Sequence, residues 1–364
     1  MTMTIKAVFW RLRKLAASLD RVGALADMAG RPGLGARKSR RRRFAELLYL
    51  ALRWDEYSTA YHAQGMDARS ASLRRDFLPV GRFNALRGRW NRNRAYPDEN
   101  YEIVFEDKLV FERYFGACGL PVVRSFGVAL PPLSFVDRAG ARCADLRQEW
   151  PAGLPAEVFC KPLAGRYGKG AVAMRWLGGE LAIAGADGAA IAGRGLGVAA
   201  IVQERLEQHP VLAGFHPSSL NTLRIVTVFD DAHGVSVAGG FFRMGVGGAV
   251  VDNASAGGVI CGFDLARGTL AASAFQVGKA SVRAIDAHPS TGCRFAGVTI
   301  PFFDEALALV RAAHRAAPWI RSIGWDVAIR ADGPVLIEGN NRWGPLSLMW
   351  VDPSFLPRMV GVMK

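Results

Sequence analysis

The segment GWDVAIRADGPVLIEGN, near the C-terminus, constrains the fold more strongly than any other part of the sequence. Its middle, ADGP at 331–334, is a turn sequence, and the runs on both sides are apolar enough to form strands. A turn at this point makes the two runs an antiparallel hairpin and places Asp326 opposite Glu338. Because residues two apart share one face of a strand, Asn340 lies on the same face as Glu338.

These three side chains predict a metal site. Two carboxylates and an amide oxygen on one face of a largely apolar hairpin are costly to bury unless a cation binds them. Oxygen ligands in this arrangement suit Mg²⁺ that bridges nucleotide phosphates. The alternative is that the carboxylates form hydrogen bonds with neighbouring arginines such as Arg342. We therefore predict Asp326, Glu338 and Asn340 as ligands of Mg²⁺.

A second segment, VFCKPLAGRYGKGAVAMRW, is typical of a strand, a glycine-rich loop and a second strand. Gly165, Gly168 and Gly170 lack a β-carbon, so backbone amides in this loop can approach phosphate oxygens. Lys161, at the end of the first strand, adds a positive charge beside the same phosphates. A Walker A loop is excluded, since it needs a following Ser or Thr and a helix. A phosphate site is favoured over a plain hairpin turn.

Two further features fit a nucleotide site. The apolar run that ends in Gln203 and Glu204 can offer backbone groups to an adenine edge and a carboxylate to an amine or ribose, although an ordinary strand end has the same pattern. Arg224 and Arg243 each interrupt an apolar strand, where a guanidinium can bind phosphate or stabilise a developing anion. A structural ion pair is the alternative for each arginine.

Three residues are candidate substrate contacts. Asp252 and Asn253 follow a glycine cluster in VVDNASAGG, and His288 lies in HPSTG. The histidine is a candidate acid or base, although a lone histidine is more often structural.

The order of patterns predicts an α+β fold in two lobes. A basic, mainly helical region covers 1–95, a first lobe with the glycine-rich loop covers 96–205, and a second lobe with the metal site covers 206–364. Within the first lobe, DKLVFERYFGACG predicts a helix that begins at Asp107-Lys108 and ends at Gly119. The small-residue run LAIAGADGAAIAGRGLG predicts a loop and a helix.

The N-terminal quarter carries all of the excess charge. Residues 1–95 hold 21 of the 46 Lys and Arg and only 7 of the 32 Asp and Glu, against a net charge of +14. The run RKSRRRR at 37–43 precedes apolar residues at 47–52, which suggests an anionic membrane surface. A solvated basic face, or binding of an acidic acceptor, is the alternative. The RNA-module signatures are lacking, so nucleic acid is an unlikely partner.

The cysteines and the hydropathy pattern bear on the compartment. Five scattered cysteines form neither a disulfide framework nor a zinc spacing. No apolar stretch reaches the ~20 residues that cross a bilayer. We expect a cytoplasmic protein, held peripherally at the inner membrane face if the basic region binds lipid.

Taken in order, the motifs resemble the ATP-grasp superfamily, and most closely its sugar-transfer associated branch, which is related to alpha-L-glutamate ligases. The resemblance runs from Tyr101 to the C-terminus. Its most specific pieces are DKLVFERYF, FCKPLAGRYGKG, SLNTLRIVT, VDNASAGG, HPSTG and IGWDVAIRADGPVLIEGNNRWG. The family implies two α+β lobes that hold ATP between them.

The resemblance also implies residue roles. Lys108 and Lys161 match the two lysines that reach the α- and β-phosphates, and the loop from Gly165 to Gly170 matches the one that closes over the triphosphate. The positions that match the adenine hinge and the metal ligands are Gln203, Glu204, Leu206, Asp326, Glu338 and Asn340. Glu207 is the candidate for the ribose contact. Members of the family often carry an Arg just before the metal-binding Asp, where this chain has Ile-Gly-Trp at 323–325. Arg224 and Arg243 are therefore the candidate catalytic arginines.

The implied activity is ligation of a carboxylate to an amine, hydroxyl or thiol through an acyl phosphate, with ATP and Mg²⁺ as cofactors. The expected partners are a small-molecule or sugar-linked carboxylate and an amine acceptor, in polysaccharide or cell-envelope modification. Two alternatives use the same ATP site: a phosphotransferase, which would give a stable phosphorylated product, and a non-catalytic ATP-binding protein.

Overall fold

The computed structural model describes residues 16, 18–92, 101–165, 170–185, 196–248, 257–278 and 281–363. The described part of a first helix covers 18–27. The helices that follow are α1 (Arg40–Trp54), α2 (Ala60–Ala63), α3 (Leu73–Asp76), α4 (Val80–Asn91), α5 (Ile103–Glu106), α6 (Lys108–Ala117), α7 (Pro210–Ala213), α8 (Phe303–Ala316), α9 (Leu346–Val351) and α10 (Phe355–Val362). The strands are β1 (Ser125–Leu130), β2 (Ser134–Asp137), β3 (Arg142–Cys143), β4 (Glu157–Pro162), β5 (Val172–Leu177), β6 (Glu180–Gly185), β7 (Ala200–Glu204), β8 (Thr222–Asp230), β9 (Gly234–Met244), β10 (Val259–Phe263), β11 (Leu270–Val277), β12 (Val282–Ile285), β13 (Ser322–Arg330) and β14 (Gly333–Asn340).

The strands form two seven-stranded antiparallel sheets. The first has the order β3-β2-β1-β7-β4-β5-β6, and the second has the order β12-β11-β10-β9-β8-β13-β14. The predicted α+β class is therefore confirmed. Strand β4, which carries Lys161, pairs with β7, which carries Gln203. Strand β13, which carries Asp326, lies between β8 and β14.

Helix α6 begins and ends where the sequence predicts. The Asp107 carboxylate caps it by accepting from the amides of Leu109 and Val110 at 2.8 and 3.0 Å. The chain leaves the helix through Gly119, whose φ of +74° favours glycine. Its buried face, with Phe111 and Phe115, belongs to the core of the second sheet. The predicted domain bounds put this helix in the first lobe, whereas its buried face packs on the sheet of the second lobe.

The C-terminal hairpin has the predicted pairing but a different turn. Gly333 already pairs with Arg330, so the loop is the two residues 331–332 rather than 331–334. That loop alone would set Ile337 opposite Asp326. A β-bulge makes Ile337 an extra residue and brings Glu338 opposite Asp326.

The prediction of loop and helix after β5 is wrong where the structure describes that segment. Residues 180–185 form strand β6, which pairs with β5 from Leu177↔Glu180 to Val172↔Gly185. Alternating side chains of Leu181 and Ile183 pack against the first sheet's core, and this tertiary contact outweighs the local small-residue composition. Residues 186–195 lie outside the described part of the chain.

The second sheet has a core on each face. One core combines Trp325 and Ile225 with α6 and α8. The other combines Val226 and Phe241 with α9, α10 and the N-terminal region, which contributes Met28, Ala60, Ala63 and Phe83. The basic N-terminal region therefore shares a core with the second lobe. Of the helices in the described ranges, none is both long and apolar enough to span a membrane.

Much of the basic run is paired inside the N-terminal region. Lys38 is 3% exposed and binds Glu46 at 2.8 Å, while Arg37 binds Asp67 at 2.8 Å. The apolar run at 47–52 is also only partly available for lipid. Leu47, Leu50 and Ala51 are buried, and the exposed large apolar side chains on and after this run are Tyr49, Leu52 and Trp54.

Candidate nucleotide and metal site

Two lysines from different elements approach the same carboxylate. Lys108 begins α6, and its Nζ donates to the carbonyl of Gly165 at 3.1 Å. Lys161 lies at the end of β4. Both lower the pKa of Glu338, against the larger upward effects of burial and of Asp326. The two predicted phosphate-binding lysines and the predicted metal ligand are therefore neighbours.

The carboxylate pair is the electrostatic centre of the site. Asp326 is 3% exposed and faces Glu338 across the hairpin. Burial and the neighbouring Asp326 raise the pKa of Glu338 above its ordinary value. Two carboxylates this close repel each other when both are ionised, so a cation between them relieves a cost already present in the fold.

Two arginines offset the charge of Asp326. Arg224 is its register partner on β8, so both side chains lie on one face of the sheet. Arg224 donates Nε to Oδ1 and Nη2 to Oδ2, the latter at 3.0 Å. Arg243 on β9 reaches Oδ2 through Nη2 at 2.9 Å. Burial would raise the pKa of Asp326, but the two arginines outweigh it and hold the pKa at about 2.

The arginines that bind Asp326 are not Arg342, the neighbour that the sequence suggested as a hydrogen-bond partner of the hairpin carboxylates. Arg342 binds Glu102 at 2.6 Å and Glu106 at 3.3 Å instead of the hairpin carboxylates. Arg224 and Arg243 form the ion pairs that were the alternative to a catalytic role. The same geometry holds both guanidinium groups beside the predicted metal ligands.

The donor set fits Mg²⁺. Asn340 donates its Nδ2 to Oε1 of Glu338 at 3.2 Å, and its own Oδ1 stays outside that bond. Glu338 and Asn340 thus offer oxygens on the same face. Asp326, the third predicted ligand, is also engaged by Arg224, Arg243 and Glu338. No cluster of three or more His, Cys, Asp or Glu occurs in the described ranges, so a cation here would use the amide and further oxygens from phosphate or water.

A cavity of about 490 Å³ adjoins these residues. Lys161, Phe159, Val123 and Ile337 contribute to its wall. All four residues predicted for the adenine hinge and ribose also line it, namely Gln203, Glu204, Leu206 and Glu207. Its mixture of apolar walls and a few polar groups suits a base and a sugar.

Several residues that line the cavity were not among the predicted site residues. Glu157 binds Arg175 and Arg205, each at 2.8 Å, on the cavity wall. Gln208 accepts from Asn221 Nδ2 at 3.0 Å and donates to the carbonyl of Ser219 at 2.7 Å. The opposite charges of Glu157 on β4 and Arg175 on β5 could have been noticed in the sequence as a possible cross-strand pair. The Gln208 bonds depend on a tertiary approach that leaves no local pattern.

The glycine-rich loop is described at its two ends. Gly165 and Gly170 have φ of +146° and +74°, values that favour glycine. A β-carbon on Gly170 would lie 3.0 Å from Cγ of Pro162, so the turn leaves little space for a side chain. Gly168 and the candidate substrate contacts Asp252 and Asn253 lie outside the described residues.

His288 has a structural environment. It is 1% exposed, its Nε2 lies 2.8 Å from the carbonyl of Gly245, and its Nδ1 accepts from the amide of Ser290 at 3.3 Å. Burial is the main cause that lowers its pKa. Both ring nitrogens serve backbone groups, which agrees with the structural interpretation of this histidine.

Comparison with solved structures gives weak likenesses. N5-carboxyaminoimidazole ribonucleotide synthetase from Thermus thermophilus is 14% identical, with a TM-score of 0.35 over 72% of this chain and 51% of that one. A biotin carboxylase–ATP complex from Campylobacter jejuni is 12% identical, with a TM-score of 0.39 over 71% and 46%. An L-amino acid ligase from Bacillus licheniformis is 12% identical, with a TM-score of 0.34 over 68% and 42%. The chain spans about half the length of these proteins.

A comparison with curated proteins found no match. One family model, described as sugar-transfer associated ATP-grasp, matches residues 89–363. This range contains both sheets, both lysines, the predicted hinge residues and the carboxylate hairpin. The chain therefore belongs to the sugar-transfer associated ATP-grasp family.

Proposed function

We propose that the protein is an ATP-dependent ligase that activates a carboxylate as an acyl phosphate and joins it to an amine. One observation carries the proposal. Lys108 and Lys161 both act electrostatically on Glu338, and Lys161 and Ile337 line a cavity that the predicted hinge residues also line. Cations beside a carboxylate pair, next to a pocket that suits a base, are the parts that hold a triphosphate and its metal.

Each residue has a distinct task in this proposal. The hinge run from Gln203 to Glu207 holds adenine and ribose, while Lys108 and Lys161 neutralise phosphate oxygens. Glu338 and Asn340, with Asp326, hold Mg²⁺, which neutralises charge on the phosphates when bound. The three groups are fixed on one face of a paired hairpin, so little rearrangement is needed.

The arginines serve the reacting phosphate. Arg224 and Arg243 reach Asp326 from two neighbouring strands. Arg224 gives Nε and Nη2 to Asp326, and Arg243 shares its Nη2 between Asp326 and Thr222. In this proposal the positive charge of the two guanidinium groups stabilises the γ-phosphate as negative charge develops on it. Asp326 keeps the two guanidinium groups oriented for that contact.

The reaction consists of two displacements. A substrate carboxylate oxygen attacks the γ-phosphorus, the bond from that phosphorus to the β,γ-bridging oxygen breaks, and ADP leaves. The amine nitrogen then attacks the acyl carbon, the carbon–oxygen bond to phosphate breaks, and phosphate leaves as the amine releases a proton. A sugar-linked carboxylate and an amine acceptor are the proposed substrates, and cell-envelope polysaccharide is their proposed setting.

Hydroxylamine trapping tests the proposal. Purified protein with Mg-ATP, hydroxylamine and a panel of uronic-acid sugars and amino acids should give a hydroxamate and one ADP per hydroxamate. Glu338→Gln is the matched inactive variant. A stable phosphorylated product without hydroxamate would instead identify a phosphotransferase. ATP binding without turnover on any acceptor would identify a binding protein.

We also propose that α1 places the protein against an anionic membrane surface, with the active site facing the cytoplasm. Its outward side carries Arg41, Tyr49, Leu52 and Arg53, and Trp54 follows at the helix end. Leu52 is 65% exposed, and the Arg53 guanidinium lies 4.5 Å from the Trp54 ring centre. Exposed aromatic and aliphatic groups among arginines suit the headgroup region of anionic lipid.

A further inference from the structure

Asn91, the last residue of α4, is bound on all sides by the second lobe. It is 3% exposed. Its Nδ2 donates to the carbonyl of Ser322 at 3.0 Å and to the carbonyl of Asn341 at 2.8 Å. Its Oδ1 accepts from the amide of Ser322 at 2.8 Å and from the Ser322 hydroxyl at 2.9 Å. Both amide hydrogens and the oxygen are therefore used, which fixes the side chain in one orientation.

The partners of Asn91 lie at the end of the hairpin that carries the proposed metal ligands. Ser322 is the first residue of β13, four positions before Asp326. Asn341 directly follows Asn340, the last residue of β14. The last paired residues of the two strands are Gly324 and Asn340. Asn91 thus continues the connection between the strands beyond the point where their own pairing ends.

Other side chains of α4 support the same end of the hairpin. Trp343 packs over Gly324, where an added β-carbon would lie 2.8 Å from Cβ of Trp343 and 3.5 Å from Cδ of Arg224. From α4, Phe83 packs edge-to-face on Trp343 at 5.6 Å, and the Arg87 guanidinium lies 5.4 Å from that ring. The helix thereby supports the backbone behind Arg224.

From these contacts we propose that Asn91 is a positioning residue for the metal site, and that the N-terminal helical region is a working part of the catalytic unit. The inference rests on the proposed function. By holding the carbonyl of Asn341, Asn91 fixes the backbone from which the Asn340 amide projects toward Glu338. A metal site tolerates displacements of only about 0.5 Å in its ligands. Groups that orient ligands typically contribute about 10–100-fold to metal affinity.

A matched control exists in the same interface. Trp350 donates its Nε1 to Oγ1 of Thr59 at 3.1 Å, and both residues are buried. Thr59→Val removes a buried hydrogen bond between the N-terminal region and the second lobe without touching the hairpin. Asn91→Ala removes the bonds that reach the hairpin. Asn91→Ser, which keeps a short polar group, replaces it if the alanine variant does not fold.

The experiment is calorimetric titration of ATP into the full chain at a series of Mg²⁺ concentrations, and without Mg²⁺. We expect Asn91→Ala to raise the Mg²⁺ concentration for half-maximal ATP binding by about 10-fold, with little change in metal-free ATP binding. Thr59→Val should leave both quantities unchanged, even if its melting temperature falls as much as that of Asn91→Ala.

Two results would overturn the inference. The first is that the Asn91 variants bind Mg-ATP like the wild type. The second is that Thr59→Val raises the Mg²⁺ concentration for half-maximal ATP binding as much as the Asn91 variants do, which would show general loosening of the interface. A wild-type protein with no Mg²⁺-dependent ATP binding would instead refute the proposed function itself. The outcomes are therefore distinguishable.

Discussion

Glu338 lies opposite Asp326 across the β13–β14 hairpin because Ile337 is an extra residue in β14. The two-residue turn alone would pair Asp326 with Ile337 and would direct Glu338 to the other face of the sheet. The bulge therefore assembles the carboxylate pair. Its cost is electrostatic: burial and Asp326 raise the pKa of Glu338, and Lys108, Lys161 and Arg224 only partly offset this.

Replacing Glu338 by Gln should remove that cost in the absence of metal. A carboxyl group with a raised folded-state pKa destabilises the fold increasingly as pH rises from its ordinary value of 4.5 through the folded value. We expect Glu338→Gln to have a higher melting temperature than the wild type at about pH 7.5 without Mg²⁺, and no advantage near the ordinary pKa. The same variant should bind Mg-ATP at least about 10-fold more weakly.

Differential scanning calorimetry across pH, with and without Mg²⁺, provides the measurement. Asp286→Asn is the control, since that carboxylate is exposed and pairs with exposed Arg294 at 3.1 Å. A Glu338→Gln variant that is less stable than the wild type at neutral pH, and that retains full Mg-ATP affinity, would contradict the carboxylate-pair interpretation.

Replacing Lys161 by Ala should weaken ATP binding by about 10-fold, the loss of one charge-assisted contact of ~1.5 kcal/mol. Isothermal calorimetry measures it directly. Arg294→Ala removes an equal charge from an exposed site and should leave ATP affinity unchanged. If Lys161→Ala binds ATP as well as the wild type, this lysine does not contact phosphate.

Replacing Arg224 by Ala should destabilise the protein by about 3 kcal/mol, because Asp326 stays buried with one of its two cations removed. Asp326→Asn in the same background should recover part of the loss. Urea unfolding of the two single variants and the double variant measures the coupling. Independent, additive losses would show that the pair does not interact.

The same pair predicts acid sensitivity with a definite sign. Since the pKa of Asp326 falls from 3.8 to about 2 on folding, its ionised form contributes stability above pH 3.8 that is lost as pH falls toward 2. The stability difference between the wild type and Asp326→Asn should therefore shrink over that range. A difference that stays constant from about pH 5 down to about pH 2 would contradict the shifted pKa.

Vesicle co-sedimentation tests the proposal that α1 binds an anionic membrane surface. Each Arg near anionic lipid contributes ~1 kcal/mol, so the outward side of α1 should bind phosphatidylglycerol vesicles and release them in high salt. Leu52→Glu should abolish co-sedimentation. Leu177→Glu, at a similarly exposed leucine in the first sheet, should not. No binding by the wild type, with the Leu52 variant instead raising the acceptor KM, would favour a substrate-binding role.

Local patterns predicted the elements that have strong local signals. The turn sequence, the Asp107 cap and the alternating strands predicted the hairpin and α6. They could not predict the Ile337 bulge, since a bulge depends on how the strand meets its neighbours. Strand β6 was missed because its small residues form a strand only through pairing with β5.

Contacts between distant parts of the chain were also beyond local patterns. Asn91 meets Ser322 across 231 positions, and Arg224 meets Asp326 across 102. Neither bond has a sequence spacing that could reveal it. The charge excess in 1–95 likewise gave no indication that this region shares a core with Trp343 and Trp350.

A crystal structure of the protein with Mg²⁺ and a non-hydrolysable ATP analogue tests the proposed site most directly. We predict adenine in the cavity lined by Gln203 and Leu206, phosphates between Lys108 and Lys161, and the cation bound to Glu338. Nucleotide bound elsewhere, or bound in this cavity with its phosphates and cation away from Glu338, would contradict the proposed site.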